Sequence, residues 1–194
     1  PSWARAPNAT TDPTRGLNVR PADFKLERYF ARYEFATRYL LSSSDAQSIS
    51  LRDLLSLEPG AHERFQDLEL GYVDSRGTPA LRQEIARLYQ RTGPERILTF
   101  TGAQEAILVF TQAAFNPGDH VIAHWPSYQS LTELPKTQGC LVSHWEARPQ
   151  DHWALCLDEL RNLLRPNTRA VIVNSPHNPS GWVMPKELRH PLIE

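Results

Sequence analysis

The sequence predicts an α/β fold, a three-layer sandwich in which a mostly parallel sheet carries helices on its faces. Short apolar runs alternate with amphipathic stretches from Ile97 to Val173, in the order strand, helix, strand, helix, strand. Such alternation is the pattern of parallel strands joined by helical crossovers. With 194 residues, 40% of them hydrophobic, the chain can bury a core. The apolar run Ala170–Val173 is followed at once by Asn174-Ser175-Pro176-His177-Asn178-Pro179-Ser180-Gly181, an octet too rich in turn formers to continue a strand. Its prolines fix φ and remove backbone donors, the residues before them are pushed toward extended geometry, and Gly181 gives freedom at the far end. Asn174 and Asn178 are thereby presented at the carboxyl edge of a strand, where open α/β sheets bind ligands.

Composition narrows the function. Lys+Arg 21 against Asp+Glu 22 gives a formal net charge of −1, so nothing draws the chain as a whole toward nucleic acid or an anionic membrane. Cys140 and Cys156 lack metal-type spacing and are too few for a disulfide framework, which favours a reduced compartment, the cytoplasm. No signal peptide or apolar run of membrane length is present. Residues 1–22, rich in Pro, Thr, Arg and Asn, read as a disordered leader. The sequence stops at Pro191-Leu192-Ile193-Glu194, where a helix after the octet would be starting, and the expectation is an apparently truncated fold.

Taken in order, Asp23 to about Thr37 reads as an amphipathic helix with an aspartate N-cap and an aromatic packing stripe. Leu40–Asp45 reads as a short extended segment, and Ser50-Leu51-Arg52-Asp53 as a capping box opening a helix through Leu57. In Gly71–Pro79, Thr78 and Pro79 serve as N-cap and first residue of a helix to Gln90. Ile97–Phe100 is a strand, and a glycine turn at Gly102 leads into an apolar helix from Gln104 to Phe115. A glycine between strand and helix leaves amides exposed at the positive end of the helix dipole, a ready anion site, although alone it also reads as a tight turn. Strand His120–His124 follows; its histidines lie too far apart for one ion, so their role is structural. Tyr128, at the strand end, packs on a helix from Gln129 to Thr137. Strand Leu141–Trp145, a polar loop, a helix from Asp158 to Leu164 and strand Arg169–Val173 complete the pattern.

The octet resembles the N-x-P-x-N-P-T-G loop of the class I/II aminotransferases, fold-type-I enzymes that use pyridoxal 5'-phosphate, with Ser180 in place of threonine. The resemblance runs from about Phe24 onward and is best from Gly71. It implies that Asn178 donates to the phenolic oxygen of the cofactor. The amides of Gly102, Ala103 and Gln104 correspond to the phosphate cradle, and Tyr128 to the aromatic that stacks on the pyridine ring. Gly71–Pro79 is similar to the family's tyrosine-and-glycine loop, which makes Tyr72 a phosphate contact across a homodimer interface. Residues 23–67 then belong to a small domain and 68–194 to part of a large cofactor-binding domain.

The substrates implied are an amino acid and a 2-oxo acid. That chemistry needs a Schiff-base lysine, yet Lys25, Lys136 and Lys186 all lie outside the family's lysine context. The expectation is therefore a fragment, inactive alone, whose Val121, Ile122, Val171 and Ile172 lack part of their cover. Ser42–Ala46 departs from the glycine-containing substrate loop of plain aminotransferases, which leaves room for an amino-acid cyclase, lyase or oxidase. A ligand-sensing or inactive dimerising module is the reading from another class.

Overall fold

The computed structural model describes residues 21–43 and 45–193; the leader, apart from its last two residues, and Ser44 of the extended segment lie outside them. Two compact units are present among the described residues, one formed by Gly102 onward together with residues 21–24, the other by Lys25–Thr101.

The unit from Gly102 onward is built on three parallel strands, β1 (His120–Trp125), β2 (Leu141–Glu146) and β3 (Thr168–Ile172), in the order β2-β1-β3. Helix α6 (Ser130–Thr137) connects β1 to β2, and α7 (Leu157–Leu163) connects β2 to β3; α5 (Ala103–Ala114) precedes the sheet and α8 (Lys186–Ile193) ends it. In β1, Val121 pairs with Val142 and Ala170, and Ile122 with Ser143 and Val171. Successive side chains point to opposite faces, so the sheet has two cores. On one face Val121 meets Phe115 and Cys140, with Val142, Ala170 and Ile172 alongside. On the other, Ile122 and Trp145 meet Leu160 of α7 and Met184, with Leu188 and Leu192 of α8 packed against them. Helix layers thus cover both faces.

Val121 and Ile122 are fully buried, so the expected loss of cover is corrected for them: the central strand is closed by its neighbours and both helix layers. Val171 and Ile172, on the edge strand, are half-buried. His120 explains part of the sheet's cohesion. Its Nδ1 lies 2.8 Å from Thr168 Oγ1 on β3 and its Nε2 2.9 Å from Ser143 Oγ on β2, so one buried imidazole spans all three strands.

In the other unit lie α1 (Lys25–Tyr33), α2 (Leu51–Ser56), α3 (Ala61–Gln66) and α4 (Pro79–Ala86). Ser50 caps α2 by accepting from the Asp53 amide at 3.1 Å, and Thr78 caps α4 by accepting from Leu81 at 3.3 Å, as the sequence anticipates. Helix α1 runs Lys25–Tyr33, starting one residue later than an Asp23 cap would place it and stopping short of Thr37, and it buries none of its residues; its rings instead pack on one another, Tyr29 against Tyr33 with centroids 4.8 Å apart and planes tilted by 44°. Neither Leu40–Ser43 nor Ile97–Phe100 joins a ladder among the described residues. Ile97–Phe100 follows a 3-10 turn at Pro94–Arg96, and Thr99 donates to the Arg76 carbonyl at 3.0 Å. A β-prone run is not a strand until another strand faces it.

Candidate active site

The octet is a folded-back loop held in part by hydrogen bonds among its own polar atoms. Asn174 Oδ1 accepts from the Asn178 amide at 2.6 Å. The Gly181 amide donates to the His177 carbonyl at 2.7 Å, and the His177 amide to the Trp182 carbonyl at 2.8 Å. Gly181 sits at φ +74, a left-handed conformation that glycine adopts without a Cβ penalty. The asparagines thus divide their labour. Asn174 clamps the loop, while the Asn178 carboxamide is engaged by no hydrogen bond among the described residues.

His177, which the sequence reading passed over, is the centre of this loop. It is 2% exposed, with Nδ1 2.6 Å from Ser180 Oγ and Nε2 2.6 Å from the Pro126 carbonyl. Its ring lies on that of His124, centroids 3.6 Å apart and planes 14° from parallel, and Trp182 meets His124 edge-on. Burial depresses the pKa of His177, opposed by the Pro126 carbonyl. In His124 burial, helped by the charge His177 would carry, lowers it to about 4. The Asn174 carbonyl opposes that shift without reaching hydrogen-bond geometry, for neither ring nitrogen of His124 has a partner among the described residues. Both rings are therefore neutral near pH 7. The signal in the sequence was a histidine within an otherwise turn-forming octet and another at the end of a buried strand.

Two further segments meet this loop's neighbourhood. Pro126 belongs to the turn after β1 that carries Tyr128, and Tyr128 packs against Phe24 with ring centroids 5.2 Å apart. From the next helix Ser130, 2% exposed, donates to Gln104 Oε1 at 2.6 Å, fixing the first turn of α5. That helix starts at Ala103 with Gly102 as N-cap, no side chain caps it, and an added Cβ at Gly102 would meet nothing within 4 Å. Hence the Gly102 turn, the Tyr128 turn and the Asn178 loop are joined by the Ser130–Gln104 and His177–Pro126 hydrogen bonds.

The chain belongs to the class I and II aminotransferase family. The family model for aminotransferase class I and II matches residues 45–194. Arginine–pyruvate transaminase AruH of Pseudomonas aeruginosa is 35% identical over 128 residues, 63% of this chain and 33% of that enzyme. Capreomycidine synthase of Streptomyces vinaceus is 33% identical over 175 residues, 89% of this chain and 43% of that enzyme. Among solved structures, a PLP-dependent aminotransferase from Streptococcus suis superposes with a TM-score of 0.81 at 31% identity, over 87% of this chain and 46% of that one. The PLP-dependent cyclase OrfR gives a TM-score of 0.77 at 28% identity, over 90% and 46%. The chain thus spans less than half the length of these relatives.

The residues present suit a phosphorylated pyridine. An uncapped helix start supplies amides and a positive dipole for a dianion, Tyr128 offers an aromatic face, and Asn178 offers an uncommitted donor.

Tyr72 lies in the other unit and is fully exposed. Its loop is nonetheless firmly held. Arg82, 6% exposed, donates to the Gly77 and Pro94 carbonyls, each at 3.0 Å, and to Asp74 Oδ2 at 3.2 Å. Asp74 in turn accepts from the Arg76 amide at 2.9 Å. Its carboxyl is held below the ordinary value chiefly by that bond and by the Arg76 side chain. Gly77 has φ +98, and a Cβ there would lie 2.3 Å from Thr99 Oγ1.

Proposed function

We propose that this chain supplies the phosphate cradle and ring-binding loops of a pyridoxal-phosphate enzyme acting on an α-amino acid, an aminotransferase in the first instance. The observation that carries the reading is the coupling of three loops by two hydrogen bonds, Ser130 to Gln104 and His177 to Pro126. It ties an anion-binding helix start, an aromatic turn and an amide-bearing loop into one assembly.

Within this reading, the amides of Gly102, Ala103 and Gln104 hold the phosphate, with the α5 dipole adding to them. Tyr128 covers one face of the pyridine, excluding water from it. Asn178 donates to the phenolic oxygen, stabilising negative charge there. When bound, the cofactor supplies an electron sink for charge developing at the amino acid's α-carbon. A lysine must also move the α-proton. Lys136 is paired with Glu133 at 2.7 Å on α6, and Lys25 and Lys186 begin helices α1 and α8, so none is assigned that role. In the same reading, residues 23–67 belong to a small domain, 68–194 to part of the large one, and Tyr72 reaches the phosphate of a second subunit in a cytoplasmic homodimer.

A second reading, an amino-acid cyclase, draws support from the reach of the similarity: capreomycidine synthase matches 89% of this chain, against 63% for the arginine–pyruvate transaminase. Incubating the full-length protein with pyridoxal phosphate, a panel of amino acids and a 2-oxo acid separates the two. Transamination converts the oxo acid into a new amino acid, whereas cyclisation leaves it unchanged and keeps the substrate nitrogen in the product. Full-length protein with no visible cofactor absorbance after reconstitution would refute both.

A further inference from the structure

We propose that His177 is a positioning residue, a neutral imidazole fixed as its Nε2–H tautomer, which ties the Asn178 loop to the turn bearing Tyr128. Hydrogen-bond direction places the proton on Nε2, and burial of the ring keeps it neutral. A carbonyl only accepts, so the contact of Nε2 with Pro126 at 2.6 Å requires the proton on Nε2. In the neutral ring Nδ1 must then accept, and Ser180, at 2.6 Å, must donate its hydroxyl proton. That leaves the Ser180 oxygen free to accept from the Trp182 amide at 3.2 Å. One chain of donors therefore runs from Trp182 through Ser180 to His177, while the same ring anchors the loop to Pro126.

The link matters because its ends carry different tools. Asn178 is the next residue after His177, and Tyr128 lies two beyond Pro126. Asn178 is further restrained by the 2.6 Å bond from its amide to Asn174. Since the ring is 2% exposed and stacked on His124 at 3.6 Å, it has little room to turn, and the spacing between the Asn178 carboxamide and the Tyr128 ring is set by an unbending connector. It also accounts for the hydroxyl at position 180, the position where serine replaces threonine: either residue donates to Nδ1, whereas alanine cannot.

This rests on the functional reading above only for what the two tools hold. His177→Phe keeps the ring and its stack but removes both hydrogen bonds, and His177→Gln restores a donor able to reach Pro126. In the full-length protein, hydrogen exchange at the amides of His177, Asn178, Gly181 and Trp182 reads the lock without cofactor. Exchange is expected to accelerate at least tenfold in His177→Phe and to recover in His177→Gln. Binding of pyridoxal phosphate, followed by its visible absorbance, is expected to weaken about tenfold or more in the Phe variant, with a shifted maximum, and to recover with Gln. Should His177→Phe fail to fold, Ser180→Ala takes its place: histidine nitrogen NMR is expected to show the Nε2–H tautomer in wild type and variant alike, since Pro126 still requires that proton, while exchange at the Trp182 amide, which loses its acceptor, is expected to accelerate. Wild-type exchange rates and cofactor affinity in His177→Phe, or an Nδ1–H tautomer in the wild type, would overturn the proposal. Wild-type protein that keeps its loop protection but takes up no pyridoxal phosphate would instead sink the functional reading and leave the lock standing.

Discussion

Asn178 and Asn174 are chemically identical side chains with different duties, and substitution should separate them. Asn178→Ala removes a donor that the loop does not use. It should leave thermal stability near wild type while weakening retention of pyridoxal phosphate by about 1.5–3 kcal/mol, the range for a hydrogen bond to a charged group; equilibrium dialysis of the full-length protein checks this. Asn174→Ala strips the acceptor from the Asn178 amide and should lower both stability and retention. Gly77 gives a second test at this scale. With φ +98 and a Cβ position 2.3 Å from Thr99 Oγ1, Gly77→Ala should destabilise by about 1–3 kcal/mol, and Thr99→Ala should recover only the steric part. Chemical denaturation of the two single variants and the double variant measures the share due to backbone strain.

Among the elements, the stacked imidazoles at the end of β1 and in the octet predict an acid response. An unfolded histidine titrates near 6.5, while folded His124 does so at about 4. Between those values the unfolded chain binds the proton and the folded one refuses it. Stability is therefore intact above about pH 6.5 and declines as pH falls toward 4, by about 3 kcal/mol for His124 alone. His124→Phe should flatten this profile in urea melts at pH 7 and 4.5. It should cost little at pH 7, since it also removes two buried nitrogens that lack partners.

The elements also mark how much was legible in the sequence. Helices α2 and α4 were readable because Ser50 and Thr78 announce their own starts by capping chemistry. Strands β1, β2 and β3 were readable because each is an apolar run closed by turn formers. Ile97–Phe100 has the same local character, yet strandhood depends on a facing strand that no local pattern reveals. Of the candidate site, the Asn178 loop and the Gly102 turn were visible as motifs. His177 and Ser130 were not, for their importance comes from partners 51 and 26 residues away.

At the scale of the molecule, two expectations concern surfaces. Part of the exposed apolar area lies along α5, where Phe110 is 61% exposed. There Ala106, Ile107, Phe110, Leu131, Pro135 and Ile172 line a cavity of about 260 Å³. The 194-residue chain should therefore bind an apolar fluorescent dye, and Phe110→Ser should reduce that binding, because a contiguous apolar patch is the determinant; an undiminished signal would place the patch elsewhere. Tyr72 tests assembly. If it serves a second subunit, full-length Tyr72→Phe mixed with a subunit lacking the Schiff-base lysine should yield one impaired and one intact site, and the defect should track with the neighbour of the mutated chain.

The His120 bridge has a consequence for how the chain emerges from the ribosome. Its bond to Thr168 spans 48 residues and that to Ser143 spans 23. At a synthesis rate of roughly 5–20 residues per second, β1 waits about one to five seconds for β2, and β3 arrives later still by a similar interval. Throughout that wait the central strand of the finished sheet has a bare edge, the kind of surface that nascent-chain chaperones and neighbouring polysomal copies compete to cover. Slowing translation between Trp145 and Thr168 with rare codons should lengthen this exposure and lower the soluble yield, while the same codons placed after Ile172 should leave it unchanged.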